Sequence, residues 1–157
     1  MDYQTLITQL ESLLSDETDE TAILANTSAL LMEQLEDVNW VGFYLWKNGE
    51  LILGPFQGKP ACIHIPFGKG VCGTAFARNE TIRVADVHTF HGHIACDDGT
   101  NSEIVLPLKN SSGEKIGVLD IDSKKTDRFS KDDQAGLERV AAVLGRLLGS
   151  PDTTLTV

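Results

Sequence analysis

The sequence is short of positive charge. Its 13 Lys and Arg stand against 23 Asp and Glu, a formal net charge of -10, and no basic patch or stripe gathers the few cations. That excludes DNA, RNA and anionic membrane surfaces as partners, because binding them means neutralising phosphates. Cysteine is scarce too: three residues, an odd number, with no C-x-x-C pair. A simple disulfide framework, a zinc ribbon and a thioredoxin-type redox motif all lack support. No apolar run approaches the length of a membrane span. The opening "MDYQTLITQLESLLSDETDE" has neither the basic segment nor the apolar segment of a secretory signal. The expected compartment is therefore the cytoplasm, where thiols stay reduced. Repeats, linkers and low-complexity tracts are missing as well.

What is present is ordinary for a soluble globular chain: 157 residues, 41% hydrophobic and 23% charged. One domain over 1–157 is expected, large enough to bury a core without staples. Tyr3, Leu6, Leu10, Leu13 and Leu14 fall on one face of a first helix, and Ile23, Thr27, Leu30, Leu31 and Leu35 on one face of a second. The amphipathic first helix could serve a homodimer or cover a sheet. "NWVGFYLW", the turn "KNGE" and "LILGPF" then read as a β-hairpin. "ACIHIPF" and "TIRVADV" read as further strands, separated by the Gly-rich "GKGVCGTAFARN", a loop entering a short helix. "EIVLPLKNSSGEKIGVLDIDS" is a second hairpin. The last helix opens at Ser130 with Asp133 three residues on, as in a capping box. Leu137, Val140, Ala141, Leu144, Leu147 and Leu148 form its stripe, and Gly149 and Pro151 stop it. Two helices, about six strands and a closing helix indicate an α+β domain with an antiparallel sheet: helices within 1–36, a core over 39–148, and a tail at 150–157.

Cys96 sits among His, Asp and Gly in "HGHIACDDGTN", polar company for a residue that usually hides among hydrophobes. A metal ligand, half of a disulfide, a nucleophile and an inert thiol are all open. His88, His91 and His93 precede it, but their spacing matches no zinc motif, and no metal is expected. Cys62 lies in a strand-like run and Cys72 in the Gly-rich loop. Asp120 and Asp122, two apart in a strand, share a face. Glu103 opens the neighbouring strand. Such acids are costly to bury unless something uses them, so that face is either the solvated side of the sheet or an acidic pocket floor. Trp40 and Tyr44 share one face of their strand and could wall a small pocket.

Taken together, "NWVGFYL", "LGPFQGKPAC", "IPFGKGVCGTA", "DVHTFHGHIACD", "SEIVLPL" and "IGVLDIDS" closely resemble the free methionine-(R)-sulfoxide reductases, stand-alone GAF-domain enzymes. The resemblance runs from about Asn39 to Leu148. It implies a GAF fold with a central antiparallel sheet, terminal helices on one face and a ligand pocket on the other. It also implies reduction of free L-methionine (R)-sulfoxide, with thioredoxin recycling the enzyme and no bound cofactor. Cys96 matches the family's nucleophile, Cys62 its principal resolving thiol, and Cys72 a third cysteine of less fixed role. Trp40, Tyr44, Glu103, Asp120 and Asp122 match its pocket. The rival expectation is a GAF module that binds a small ligand or senses redox state without turnover. The missing upstream Asn-Lys pair before "FSKDD" weakens a cyclic-nucleotide version of that rival.

Overall fold

The structure, a computed structural model, describes residues 1–92 and 99–149. Helices α1 (Tyr3–Leu13) and α2 (Glu20–Gln34) come first, followed by β1 (Trp40–Lys47), β2 (Glu50–Gln57) and β3 (His64–Pro66). Helix α3 (Gly70–Arg78) and β4 (Ile82–Val84) follow, then β5 (Ser102–Lys109), β6 (Lys115–Ser123) and α4 (Lys131–Leu147). The six strands form one sheet in the order β3-β2-β1-β6-β5-β4, and every pair is antiparallel. This is the α+β architecture expected.

The hairpin turns follow their sequence. Asn48 and Gly49 both hold positive φ, 53° and 80°, the two-residue turn that matches strand twist and that Asn-Gly adopts cheaply. At the β5–β6 turn the Asn110 side-chain oxygen accepts the Ser112 and Glu114 amides, each at 3.0 Å.

Alternation along the strands sends side chains to two faces. Val41, Phe43 and Leu45 of β1, Leu119 and Ile121 of β6, and Ile104, Leu106 and Leu108 of β5 point one way. There they form one core with Leu6 and Leu10 of α1, Ile23, Leu24 and Leu31 of α2, and Leu137, Val140 and Leu144 of α4. Helix α1 uses its apolar face within its own chain. The Tyr3 ring lies over Gly136, where a Cβ would strike it, and its hydroxyl donates to Asp133 at 2.6 Å. Helix α4 begins with the expected capping box, in which Ser130 and Asp133 satisfy each other's backbone amides.

Three expectations are corrected. Leu13 is 48% exposed, because it lies in a groove left between α1 and α2 beside Leu30; Ile7 is buried in its stead. The strand expected over 61–67 is only His64–Pro66. Cys62 leaves the ladder, its carbonyl accepting the Tyr44 hydroxyl, and Ile63 and Phe67 are 59% and 53% exposed. The strand expected over 81–87 is only Ile82–Val84, since the Ala85 carbonyl is taken by the Asp127 amide at 2.7 Å. The tail at 150–157 lies outside the described residues.

Candidate active site

The other face of the sheet is buried as well, but its chemistry is different. Strand register places Trp40 opposite Asp122 and Gly42 opposite Asp120 across β1–β6. It places Glu103 opposite Asp122 and Val105 opposite Asp120 across β6–β5. Trp40, Asp122 and Glu103 thus form one row across three strands, and Asp120 stands in the next. Helix α3 covers this face through Val71, Cys72, Ala75 and Phe76. Residues 60–61 and 69–72, with Thr100, complete the wall of a cavity there. The cavity they leave is about 50 Å³, and its wall includes Trp40, Tyr44, Cys72, Thr100, Glu103, Asp120 and Asp122. Pockets for drug-sized ligands run to about 300–1,000 Å³, so this one is small.

The five binding residues expected from the sequence therefore converge on one pocket, and Cys72 joins them. The acidic face is a pocket floor rather than the solvated side of the sheet: Glu103 is 7% and Asp120 5% exposed. Burial, reinforced by the neighbouring Asp120, pushes the Glu103 carboxyl well above the ordinary carboxylate range. Burial and the charge of Asp122 do the same to Asp120. Burial, with the surrounding carboxylates, also pushes up the Cys72 thiol. Two carboxyls and a thiol at the pocket floor thus all hold their protons more tightly than they would in water. Donor atoms of Cys72, Glu103 and Asp120 lie within 4.8 Å of one another, the grouping among the described residues that could converge on a cation. Of the histidines ahead of Cys96, the described His88 and His91 are not part of it: His88 is exposed and its ring contacts Asn101 Oδ1 at 3.2 Å.

The aromatic wall is tied to the Cys62 segment. Tyr44 donates its hydroxyl to the Cys62 carbonyl at 2.9 Å, and burial raises its pKa so that it stays a phenol. The Trp40 indole donates to the Lys59 carbonyl at 3.0 Å and stacks on Phe56, with centroids 5.3 Å apart. Gly58, at φ +129°, lets the chain pass Trp40 there, since a Cβ would come within 2.6 Å of the indole. Cys62 itself is disulfide-bonded, whereas Cys72 is a free buried thiol. Cys96, with His93, lies outside the described residues.

Thr100 and Lys69 were not singled out from the sequence, although both line the pocket. Lys69 stands at the N-cap of α3, where no side chain caps the helix; the Gly-rich loop around it was the available signal. Thr100 carried none, being one polar residue in a polar loop.

A GAF domain family model matches residues 9–148. The chain is 54% identical over 150 residues to the free methionine-R-sulfoxide reductase of Escherichia coli (strain K12), covering 96% of this chain and 90% of that protein. To the Saccharomyces cerevisiae protein of the same name it is 43% identical, covering 90% of this chain and 82% of that one. The chain belongs to the free methionine-R-sulfoxide reductase family of GAF domains. Among solved structures it resembles fRMsr of Staphylococcus aureus in complex with substrate, with a TM-score of 0.90, 53% identity, and 94% and 96% of the two chains covered. A free methionine-R-sulfoxide reductase from Neisseria meningitidis, also in complex with its substrate, superposes with a TM-score of 0.88 at 46% identity, covering 92% of this chain and 87% of that one.

Proposed function

We propose that this protein reduces free L-methionine (R)-sulfoxide to methionine in the cytoplasm, holding no resident cofactor and drawing its electrons from thioredoxin. The observation that carries the reading is the floor of the small pocket, where Glu103 and Asp120 lie buried beside the Trp40 and Tyr44 wall and burial raises the affinity of both carboxyls for a proton. A sulfoxide oxygen is a poor leaving group, and it leaves only when an acid protonates it. A carboxyl held neutral near pH 7 can serve as that acid.

Cys96 is the nucleophile in this reading. Its sulfur attacks the sulfoxide sulfur while a pocket acid protonates the oxygen. The oxygen passes to Cys96 as a sulfenic acid, and methionine leaves. The Cys62 thiol condenses with the sulfenic acid to give a disulfide and one water. A thioredoxin dithiol then exchanges with that disulfide and restores both thiols. Cys62 is favoured over Cys72 as the resolving thiol because Cys62 is disulfide-bonded and Cys72 free. The Cys72 thiol, pushed up by burial and carboxylates, makes a poor thiolate and suits a place in the pocket wall.

Trp40 and Tyr44 offer an apolar surface to the methyl-bearing sulfur, Asp122 faces the ammonium, and the uncapped start of α3 suits the carboxylate. A cavity of about 50 Å³ has no room for a flanking polypeptide, which favours the free amino acid over protein-bound methionine sulfoxide. A coupled assay with thioredoxin, thioredoxin reductase and NADPH tests all of this. NADPH should be consumed with the free (R)-sulfoxide and hardly at all with the (S) epimer; equal rates on both would sink the assignment. Cys96→Ser should release no methionine even in a single turnover. Cys62→Ser should release one equivalent and then lose most thioredoxin-dependent turnover.

A further inference from the structure

Five Ser or Thr hydroxyls are buried among the described residues: Thr27, Ser28, Thr100, Ser102 and Ser123. Four of them are spoken for. Thr27 donates to the Ile23 carbonyl and Ser28 to the Leu24 carbonyl, the back-bonds of a helix interior. Ser102 donates to the Lys125 carbonyl and Ser123 to the Asp37 carbonyl, pinning the ends of β5 and β6. Thr100 is the exception. It is 6% exposed, and among the described residues no group hydrogen-bonds its Oγ1. A buried hydroxyl left unpaired opposes folding, so each one in a well-satisfied structure asks for a reason.

The position of Thr100 supplies one. It lines the pocket that also holds Glu103, Asp120 and Asp122, where Asp120 Oδ1 is likewise buried without a hydrogen-bond partner. Thr100 is also held firmly. Its neighbour Asn101 donates its amide to the Ser123 carbonyl and accepts from the Val87 amide, both at 2.8 Å, and its side chain donates to the Lys124 carbonyl at 2.6 Å. The backbone next to the hydroxyl is thus anchored ahead of any ligand, an arrangement that lowers the ordering cost of a hydrogen bond made in binding.

We infer that Thr100 is a substrate-contact residue, whose hydroxyl hydrogen-bonds the bound sulfoxide amino acid and is left unpaired in its absence. The inference rests on the function proposed above. It makes two linked statements: removing the hydroxyl weakens binding and at the same time makes the ligand-free protein more stable. A merely structural threonine would do neither.

The test is calorimetric titration of the full chain with free methionine (R)-sulfoxide, paired with thermal unfolding of the ligand-free protein, for wild type, Thr100→Val and Thr100→Ser. Valine keeps the shape and deletes the hydroxyl. The Val variant should bind about tenfold more weakly, as the loss of one net hydrogen bond predicts. Its Tm should rise by about 2–4 °C. Serine should bring both values back toward wild type. Equal affinity of wild type and Thr100→Val overturns the inference, and so does a Thr100→Val protein that melts below wild type, since the hydroxyl would then have a partner in the fold. No binding by the wild type is a different failure: it removes the proposed function, and this inference with it.

Discussion

The two faces of the sheet share the strands β1, β5 and β6 and are both buried there, yet they are opposite in kind. Toward α1, α2 and α4, residues such as Phe43, Ile104, Leu119 and Ile121 join one large apolar core. Toward α3, the alternate residues of the same strands are Trp40, Tyr44, Glu103 and Asp120. The first face contributes stability, at roughly 25 cal/mol for each Å² of apolar surface removed from water. The second puts carboxyls out of water, a cost that the fold bears. The comparison shows where this domain stores its stability and where it spends some on chemistry.

The sharpest way to break the comparison is to substitute once on each face. Glu103→Gln keeps the shape of the pocket and removes an acid. Turnover should fall by about 10²–10⁴, the range of a general acid's contribution, while the melting temperature holds or rises. Phe43→Ala should do the reverse. It should cost about 3–5 kcal/mol of stability, and the fraction still folded should turn over near the wild-type rate. Steady-state kinetics on thermally characterised protein reads both. If Phe43→Ala lost turnover per folded molecule as severely as Glu103→Gln, the faces would not be separable.

Acidity sharpens the same contrast. Glu103 and Asp120 hold their protons more tightly in the fold than at their ordinary values of 4.5 and 3.8. The native state therefore binds more protons than the unfolded chain once pH exceeds those values, and stability must fall as pH rises from there. Glu103→Gln and Asp120→Asn should each remove part of that slope. Their gain in melting temperature over wild type should be small near pH 4 and larger at pH 8. A gain that shrinks with rising pH would contradict the raised proton affinity of the pocket floor.

A subtler break is steric. Gly42 sits on β1 between Trp40 and Tyr44, opposite Asp120. A Cβ there would strike Phe56 and come within 2.6 Å of the Trp40 ring. Gly42→Ala should therefore shift the aromatic wall at a cost of about 1–3 kcal/mol. It should raise KM for the sulfoxide more than it lowers kcat, because it misplaces a binding surface and leaves the acids in position.

Much of this was legible in the sequence because it was written at short range. Asn48-Gly49, the Ser130–Asp133 box and the period-two spacing of Asp120 and Asp122 each specify their geometry within a few residues. The convergence of Trp40, Tyr44, Glu103, Asp120 and Asp122 was reached through family resemblance, and strand register then supplied its physical basis. What stayed hidden was settled at long range. The strand around Cys62 is short because Tyr44, 18 residues away, captures the Cys62 carbonyl. Leu13 is exposed because of how α2 lies beside it. Thr100 gains its meaning from the hydrogen bonds it does not make, and no local pattern encodes an absence of partners.

The smallest expected effect probes the boundary between the two regions from the helical side. Asp133 ties three elements together. It caps α4 with Ser130, accepts the Tyr3 hydroxyl of α1 at 2.6 Å and meets Arg128 at 3.0 Å. Burial works against its charge, but the Ser130 amide, the Tyr3 and Ser130 hydroxyls and Arg128 outweigh it and hold its carboxyl below the ordinary value of 3.8. Its contribution is therefore present above that value and lost as pH falls below it, the opposite sense to Glu103 and Asp120. Ser130→Ala removes one capping hydroxyl and should cost about 1 kcal/mol. That loss should be seen at pH 7 and shrink in acid, because protonation of Asp133 weakens the box it shares. Ser130 is on the helical side of the sheet, so kcat and KM should stay at wild-type values throughout. A changed KM in Ser130→Ala, measured where the protein is fully folded, would mean that strain in the helical layer reaches the pocket, and the two faces would then have to be treated as one coupled unit.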